Sequence, residues 1–330
     1  MYDFIKLKDE DRRVIFENTA SKMKMNSAIV EKDFWVCFVI DYLFNNCKFK
    51  NSFAFKGGTC LSKVYKLIDR FSEDIDLILD WRLLGYSDNE LWENRSKTQQ
   101  DKIIKEAKNK QDKFLENELL PVLKKDLGSI IGGEKNIVYD KDAIKINYPR
   151  TLNEKGILQE IRLEIGALAA WTPVEKVFIE PYISECYPGL LKYNSISLFA
   201  TTAIRSFWEK ATILHHEANR PKDSKLPLRY SRHYYDLYCM SKKGILDDAL
   251  KNEDLLLKVV EFKKKFYPRN WAEYDKARIG TLKLRPSSFF VEDLKKDYID
   301  MKSMIYGEYP DFDTLMEEID NIESILNKRG

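Results

Sequence analysis

The segment 53–80 most constrains how this chain can fold. FAFK at 53–56 is typical of a short strand, and DIDLILD at 74–80 alternates polar and apolar residues as a half-buried strand does. Between them, Gly57-Gly58-Thr59 predicts a turn that opens a helix over 59–69. Asp74 lies fifteen residues after Thr59, a separation that is enough for one helix and a return into a neighbouring strand.

The spacing of apolar residues predicts the remaining elements. Helices are expected over 9–24 and 26–46, and a long, largely exposed helical region over 88–127. Further strands are expected over 136–140, 143–149 and 159–167. From about residue 197 the pattern becomes helical, with helices over 200–218, 230–241, 249–265, 291–305 and 312–327. This order predicts an α+β chain with an N-terminal helical cap (1–50), a mixed α/β domain (51–192) and a C-terminal helical domain (193–330).

Composition excludes several classes of protein. The 55 Lys and Arg nearly cancel the 53 Asp and Glu, so any nucleic-acid binding must come from a local patch. The longest strongly apolar run, residues 34–40, is far shorter than the ~20 residues of a membrane span, so no membrane association is expected. No signal peptide is visible, and the five cysteines lack any CxxC pair. We therefore expect a cytoplasmic protein with reduced thiols.

Two carboxylates on the strand 74–80 point to metal chemistry. Asp74 and Asp76 project from one face, with backbones about 6.6 Å apart, while apolar residues project from the other. Two adjacent ionised carboxylates repel each other, and a hard cation such as Mg²⁺ bound between them offsets this repulsion. Such a pair is where a two-metal centre can form. In the strand 159–167, Glu164 is the best candidate for a third ligand. Taken alone, a solvated Asp pair, and a Glu164 paired with Arg162, are the more common outcomes.

The glycine turn and the helical region supply candidate phosphate contacts. Gly57 and Gly58 permit close approach of the backbone to a ligand, and N–H groups at a helix start favour phosphate oxygens. Lys210 lies off the apolar stripe of its helix. Residues 205–232 hold seven Lys and Arg against three Asp and Glu, a local charge of +4 that suits a triphosphate or an RNA backbone. The alternatives are a simple turn, a solvated Lys210, and an Asp236 that pairs with Arg232 one turn away.

Several segments of the chain resemble a known family. FKGGTCLSKVYKLIDRFSEDIDLIL (55–79) resembles the nucleotidyltransferase signature of the AbiEii/AbiGii toxin group, within the polymerase-beta-like nucleotidyltransferase superfamily. Arg70 and Ser72 match the Arg-x-Ser that this group places before its first Asp. EKDF at 31–34, WEKATILHHEANR at 208–220, RYSRHYYDLY at 229–238 and the tail from 309 resemble further stretches of the group. The superfamily often has Ser after the first Gly, where this chain has Gly58 followed by Thr59.

The resemblance implies a polymerase-beta-like core, a mixed sheet with flanking helices, followed by a C-terminal helical domain. It implies catalytic residues at Asp74, Asp76, Lys210 and Asp236, and two Mg²⁺ ions held by Asp74, Asp76 and Glu164. The implied nucleotide-binding residues are Lys56, Gly57, Gly58, Thr59, Arg70, Ser72 and Lys210. Arg220, Arg229 and Arg232 are the candidate RNA-binding residues.

The function predicted from these residues is a Mg²⁺-dependent nucleotidyltransferase. It would transfer a nucleotide from a nucleoside triphosphate (NTP) to an RNA acceptor, with the tRNA 3′ end as the expected acceptor. The resemblance further implies a toxin of a bacterial toxin–antitoxin or phage-defence system, with a cognate antitoxin as partner. One alternative is transfer of a phosphate or a nucleotide to a protein or a small molecule. Another is a non-catalytic RNA-binding protein that retains a transferase-like core.

Overall fold

The fold is given by a computed structural model that describes residues 1–72, 74–154, 157–169 and 172–328. The chain forms two compact units. The first comprises Met1–Val64 and Glu73–Ala200, and the second comprises Tyr65–Ser72 and Thr201–Gly330. The helices of the first 50 residues therefore belong to the same unit as the strands. The three-domain division at residues 50 and 192 stays a prediction.

In the first unit, the described strands form one mixed sheet in the order β3-β4-β5-β2-β1-β7-β6. The strands are β1 (Phe53–Lys56), β2 (Asp74–Leu79), β3 (Ile137–Asp140), β4 (Ala143–Asn147), β5 (Glu160–Gly166), β6 (Val174–Ile179) and β7 (Ile196–Thr201). β2 lies between β1, with which it pairs antiparallel, and β5, with which it pairs parallel. The strand predicted to bear the carboxylates is therefore central, with a neighbour on each side.

The alternation along β2 determines which face of the sheet is buried. Ile75, Leu77 and Leu79 are almost completely buried, whereas Asp74 and Asp76 are half-buried on the opposite face. Successive side chains of a strand point to opposite faces, so burial of one apolar set fixes the register. The strand predicted from this alternation is confirmed, and it presents both carboxylates on the same side.

Helices of the first unit flank the sheet. They are α1 (Tyr2–Ile5), α2 (Asp9–Met23), α3 (Ser27–Asp41), α4 (Gly57–Lys63), α5 (Lys97–Phe114), α6 (Leu120–Leu127) and α7 (Tyr182–Cys186). π-helical turns continue α3 over Tyr42–Asn46 and join α5 to α6 over Leu115–Leu119, and 3-10 turns cover Lys50–Ser52, Trp81–Leu84, Glu90–Trp92 and Glu134–Asn136. No helix in the described part of the chain has the length and apolar character that crossing a bilayer requires.

The second unit is built from helices. They are α8 (Ala203–Ala218), α9 (Ser231–Lys242), α10 (Ile245–Leu250), α11 (Glu253–Phe266), α12 (Val291–Asp300) and α13 (Phe312–Asn327), with 3-10 turns over Tyr274–Lys276, Ser288–Phe290 and Met301–Met304. α8 packs against α9, α10 and α11, and α9 also packs against α12 and α13. The mixed sheet with flanking helices and the helical C-terminal region confirm the predicted fold class.

Several predicted elements have different bounds in the structure. α4 ends at Lys63, whereas a helix to residue 69 was expected. The helical region expected over 88–127 begins at Lys97, because the Ser96 side chain caps α5 and Gln99 completes a capping box. β6 and β7 were not predicted, and the helix expected from residue 200 begins at Ala203, after β7 has paired with β1. All five cysteines are free.

Candidate functional site

The glycine turn is in direct contact with the carboxylate strand. Gly57 has φ +82°, a left-handed conformation that favours glycine. A Cβ at this position would lie 2.8 Å from the Cβ of Asp76 and would overlap its carboxylate. Position 57 therefore requires glycine, because its backbone has a positive φ and because a side chain would overlap Asp76. The turn thus restricts the side chain of Asp76.

Thr59 forms a second link between the turn and β2. Its hydroxyl donates a hydrogen bond of 2.6 Å to the backbone carbonyl of Asp74, and both Gly58 and Thr59 are buried. The hydroxyl thus joins α4 to the first residue of the carboxylate strand. The predicted phosphate contacts of Gly58 and Thr59 stay predictions.

A buried ion pair anchors the other end of α4. The Lys63 ammonium lies 2.7 Å from Oδ1 of Asp33 on α3, and it lies 3.8 Å from the centre of the Tyr182 ring. Oδ2 of Asp33 accepts a hydrogen bond of 2.8 Å from the backbone N–H of Tyr182. Burial raises the pKa of Asp33, and the charge of Lys63 opposes this change. Asp33 belongs to the EKDF stretch, so this resemblance coincides with a contact that positions α4.

The sheet places candidate metal ligands next to each other. Asp76 is in register with Glu164 on β5, and Asp74 with Arg162. Partners in register share a face, so these four side chains lie on the face of Asp74 and Asp76. Lys56, the last residue of β1, is in register with Asp76 on its other side.

Oxygen ligands of this kind fit a hard divalent cation such as Mg²⁺. Glu164 accepts a hydrogen bond of 2.9 Å from Nε of Arg162, the pairing that sequence reasoning left open. Within the described ranges, no three His, Cys, Asp or Glu side chains gather closely enough to hold a metal. Asp74 and Asp76 fit a cation as a pair of carboxylates, and the role of Glu164 as third ligand stays a prediction.

In the second unit, Asp236 lies between two cations. Arg70 donates from Nε to Oδ1 at 2.6 Å and from Nη2 to Oδ2 at 2.8 Å, and the Lys210 ammonium lies 2.5 Å from Oδ2. All three side chains are buried, and that of Asp236 is fully so. Burial alone would raise the pKa of Asp236, but the charges and hydrogen bonds of Arg70 and Lys210 outweigh it and lower the pKa.

These contacts answer two questions that the sequence left open: the partner of Asp236 and the burial of Lys210. Asp236 pairs with Arg70 and Lys210, and Lys210 is buried rather than solvated. Burial lowers the pKa of Lys210, an effect that Asp236 opposes and that the charges of Arg70 and Arg232 increase. Helical spacing could not reveal these contacts, because Arg70 is 166 residues from Asp236 in the chain. Ser72 follows Arg70 in the same unit, and its contact with nucleotide stays a prediction.

The three arginines proposed to bind RNA have different environments. Arg220 donates to both carboxylate oxygens of Glu217, at 2.6 and 2.7 Å, and its guanidinium lies 5.1 Å from the centre of the Trp271 ring. Arg229 is exposed. Arg232 is half-buried and close enough to Lys210 to lower the pKa of that lysine. Much of the hydrogen-bonding capacity of Arg220 is therefore used within the protein, and RNA contact stays a prediction for all three.

Known proteins resemble this chain in sequence and in structure. A family model described as "Nucleotidyl transferase AbiEii toxin, Type IV TA system" matches residues 41–318. Among solved structures, JHP933 from Helicobacter pylori is similar at 15% identity over 92% of this chain and 94% of that chain, with a TM-score of 0.43. MenT4, a nucleotidyltransferase toxin from Mycobacterium tuberculosis, is similar at 15% identity over 94% of this chain and 98% of that chain, with a TM-score of 0.41. No curated protein sequence gives a significant match.

The structural similarities are distant, so the assignment depends on the family model. Its match extends over most of the chain and includes the carboxylate pair Asp74 and Asp76 as well as Lys210 and Asp236. The chain belongs to the AbiEii nucleotidyl transferase toxin family of type IV toxin–antitoxin systems.

Proposed function

We propose that this nucleotidyltransferase toxin transfers a nucleotide from an NTP to a hydroxyl of RNA, with the tRNA 3′ end as the expected acceptor, in a Mg²⁺-dependent reaction. The observation that carries the proposal is the contact of Gly57 with Asp76, next to the Asp74 carboxylate on the same strand. A backbone turn pressed against paired carboxylates gives a triphosphate and its counter-ions adjacent binding groups. The family match supports nucleotidyl transfer as the reaction.

Asp74 and Asp76 would hold the divalent ions, with Glu164 as the third ligand. When bound, such ions neutralise phosphate charge and favour in-line transfer. The chain's own contribution is to fix the carboxylates: β1 and β5 hold β2 between them, and Gly57 limits the positions that the Asp76 side chain can take. Carboxylates that are held in position before the substrate binds need not rearrange during the reaction.

Arg70 and Lys210, which both belong to the second unit, would bind phosphate. Both cations contact the Asp236 carboxylate in a buried environment. An ammonium held in place by a carboxylate can donate its remaining protons to phosphate oxygens. Asp236 would act by orienting Lys210, and Arg70 would hold Asp236 in turn.

The proposed RNA acceptor is supported by local positive charge, and the proposed antitoxin partner is supported by family membership. The exposed cations of residues 205–232, which are Lys222, Lys225 and Arg229, suit an RNA backbone. Membership of a toxin–antitoxin family implies a cognate antitoxin. We place this toxin in the bacterial cytoplasm, where NTPs and tRNA are both present, with a role in defence against phage.

Label transfer tests the reaction and the acceptor together. The protein is incubated with each α-labelled NTP, Mg²⁺ and total RNA, in parallel with Asp76→Asn and with the control Asp80→Asn. Asp80 lies just beyond β2 and pairs with Arg82. Label in RNA that is lost in Asp76→Asn and kept in Asp80→Asn supports the proposal. Label found only in protein or small molecules rejects the RNA acceptor, and no transfer from any NTP rejects the activity.

The metal ligands can be tested separately. Glu164→Gln is compared with Glu160→Gln, since Glu160 lies on the same strand but outside the register with β2. We expect Glu164→Gln alone to raise the Mg²⁺ concentration needed for half-maximal transfer, by about tenfold for the loss of a charged ligand. Equal effects of the two substitutions would remove Glu164 from the ligand set.

Growth inhibition tests the toxin role. Expression in a bacterium should slow growth, and Asp74→Ala or Lys210→Ala should relieve the inhibition. If both variants inhibit growth as strongly as the unmodified protein at equal expression, catalysis is not the cause.

A further inference from the structure

Two exposed phenylalanines lie on neighbouring strands of the sheet in the first unit. Phe199 on β7 is 50% exposed, Phe178 on β6 is 60% exposed, and β6 pairs next to β7 in the strand order. Single exposed apolar side chains are common, but aromatic rings that share one face of neighbouring strands mark a binding surface. Whether these two rings share a face depends on the register of β7 and on the alternation along β6.

Phe199 lies on the face of the sheet that bears the carboxylate of Asp76. Ala200 is in register with Phe55 on β1, and Phe55 is in register with Leu77 on β2, so these three buried side chains share the opposite, apolar face. Successive residues of a strand alternate between faces, which places Phe199 on the side of Asp76. Two strand spacings across the sheet and two residues along it put the backbones of Phe199 and Asp76 about 12 Å apart.

Phe178 lies on the same face. Val174, the first residue of β6, packs against the buried cluster that contains Ala54 and Ile78. Ala54 and Ile78 are in register with each other on that face, and alternation carries the face from Val174 to Lys176 and Phe178. The Lys176 ammonium lies 5.9 Å from the centre of the Phe178 ring, which fits two neighbours on one side of a strand.

This face of β6 and β7 has the chemical character of a binding surface for single-stranded RNA. Within the described strands it presents aromatic, cationic, hydroxyl and small apolar side chains and no carboxylate: Val174, Lys176, Phe178, Ser197, Phe199 and Thr201. Exposed aromatic rings stack on bases of any sequence, and a neighbouring lysine contacts the phosphates. A mononucleotide has one base, whereas two rings on separate strands suit successive bases of a chain.

We propose that Phe199 and Phe178 form a stacking platform for the bases of a single-stranded RNA, with Lys176 as a phosphate contact. This RNA is the acceptor of the reaction, and in that respect the inference rests on the proposed function. At about 12 Å from Asp76, Phe199 holds a nucleotide that precedes the reacting end, so that the terminal hydroxyl reaches the carboxylate strand. Stacking is tolerant of sequence, so the platform positions the acceptor without selecting its bases.

Binding without turnover tests the platform. Fluorescence anisotropy gives the Kd of the full chain, in the absence of NTP, for a short single-stranded RNA and for an abasic oligoribonucleotide of the same length and charge. Phe199→Leu and Phe178→Leu remove a ring and keep an apolar side chain. We expect each to weaken RNA binding by about tenfold and to leave binding of the abasic probe unchanged. Lys176→Met should weaken binding of both probes equally, because it removes a phosphate contact.

The controls are chosen to isolate the ring and its position. Phe199→Trp retains an aromatic ring and should keep the affinity for RNA. Phe289→Leu makes the same substitution at a phenylalanine of the second unit that is 56% exposed, and it should also keep the affinity. Urea denaturation confirms that each variant is folded.

Three results would overturn the proposal. The first is unchanged RNA affinity in folded Phe199→Leu and Phe178→Leu. The second is an equal loss of affinity for RNA and for the abasic probe in these two variants, since stacking would then not be the cause. The third is a dimer, detected by light scattering, that Phe199→Leu converts to a monomer without a change in RNA affinity, which would assign the face to a second copy of the chain.

The same variants distinguish the acceptor from the nucleotide donor. Calorimetry with non-hydrolysable NTP analogues should give the same Kd for Phe199→Leu and for the unmodified chain, and a loss of affinity confined to the NTP would reassign the ring to the donor. A protein that binds RNA through the two rings but transfers no label keeps the platform and loses the proposed function. Label transfer to RNA with unchanged RNA affinity in both variants keeps the function and loses the platform.

Discussion

The guanidinium of Arg70 and the carboxylate of Asp236 form two parallel hydrogen bonds in the interior of the second unit, at 2.6 and 2.8 Å. Lys210 adds a third contact to the same carboxylate at 2.5 Å. Removing one member of a buried ionic group is costly, because the other members lose an opposite charge that offsets their desolvation. The three residues are therefore expected to act as one group in stability as well as in function.

Asp236→Asn should destabilise the protein strongly. Loss of the carboxylate removes the negative charge that Asp236 supplies to the buried Arg70 and Lys210, at a cost of about 3–5 kcal/mol in the free energy of unfolding. Urea denaturation measures this change. Asp320→Asn is the matched control, because Asp320 pairs with Arg285 at an exposed site and should cost less than about 1 kcal/mol. A similarly small loss of unfolding free energy in both variants would mean that Arg70, Lys210 and Asp236 do not stabilise the protein as one group.

Gly57→Ala should reduce nucleotide transfer far more than Gly85→Ala. Both glycines have positive φ, +82° and +85°, so both substitutions impose backbone strain of about 1–2 kcal/mol. Only at Gly57 would the new Cβ overlap the Asp76 carboxylate, since nothing lies within 4 Å of a Cβ at Gly85. A shift of a catalytic carboxylate by about 1 Å can lower the rate ~100-fold.

The initial rates of label transfer are measured for Gly57→Ala and Gly85→Ala, after urea denaturation has shown that both variants are folded. Equal rates in Gly57→Ala and Gly85→Ala would show that the close approach of the turn to Asp76 does not matter for the reaction.

The sequence predicted local features of the site better than distant ones. Alternation along β2 was sufficient to place Asp74 and Asp76 on one face, because burial of Ile75 and Leu77 fixes the register. The pairing of Arg70 with Asp236 could not be predicted, since it depends on how α9 packs against a segment 166 residues away. β7 was missed because α8 follows it directly, so its last residues were assigned to the helix expected from residue 200.

Lys63→Met should impair both folding and transfer. Lys63 is the buried partner of Asp33, and its removal leaves a buried carboxylate without a cation, at a cost of about 3 kcal/mol or more. Because Lys63 is the last residue of α4, which begins at Gly57, we expect a loss of transfer that exceeds the unfolded fraction. Adding Asp33→Asn removes the unpaired charge and should restore part of the stability.

The measurement combines urea denaturation with transfer rates at several NTP concentrations. A raised KM for NTP in the stabilised double variant would confirm that the ion pair positions α4. A double variant with normal KM and kcat would leave Asp33 and Lys63 with a role in stability alone.

The pKa of Lys263 predicts a pH dependence of stability with a definite sign. Its pKa is lowered to about 7 in the folded chain, against about 10.4 in an unfolded chain. Between these values the unfolded chain binds more protons than the folded one, so the contribution of Lys263 to stability rises with pH. Below about pH 7 both states are protonated, and the folded chain bears the full cost of the partly desolvated charge.

We therefore expect the difference in free energy of unfolding between the unmodified chain and Lys263→Met to move in favour of the unmodified chain from pH 7 to 9. Urea denaturation at pH 7, 8 and 9 measures this difference, and subtraction removes the groups common to both proteins. Lys258→Met should show the same pH dependence as the unmodified chain, because Lys258 is exposed on the same helix. If Lys263→Met also follows the unmodified chain at all three values, Lys263 titrates in the folded protein as an ordinary lysine.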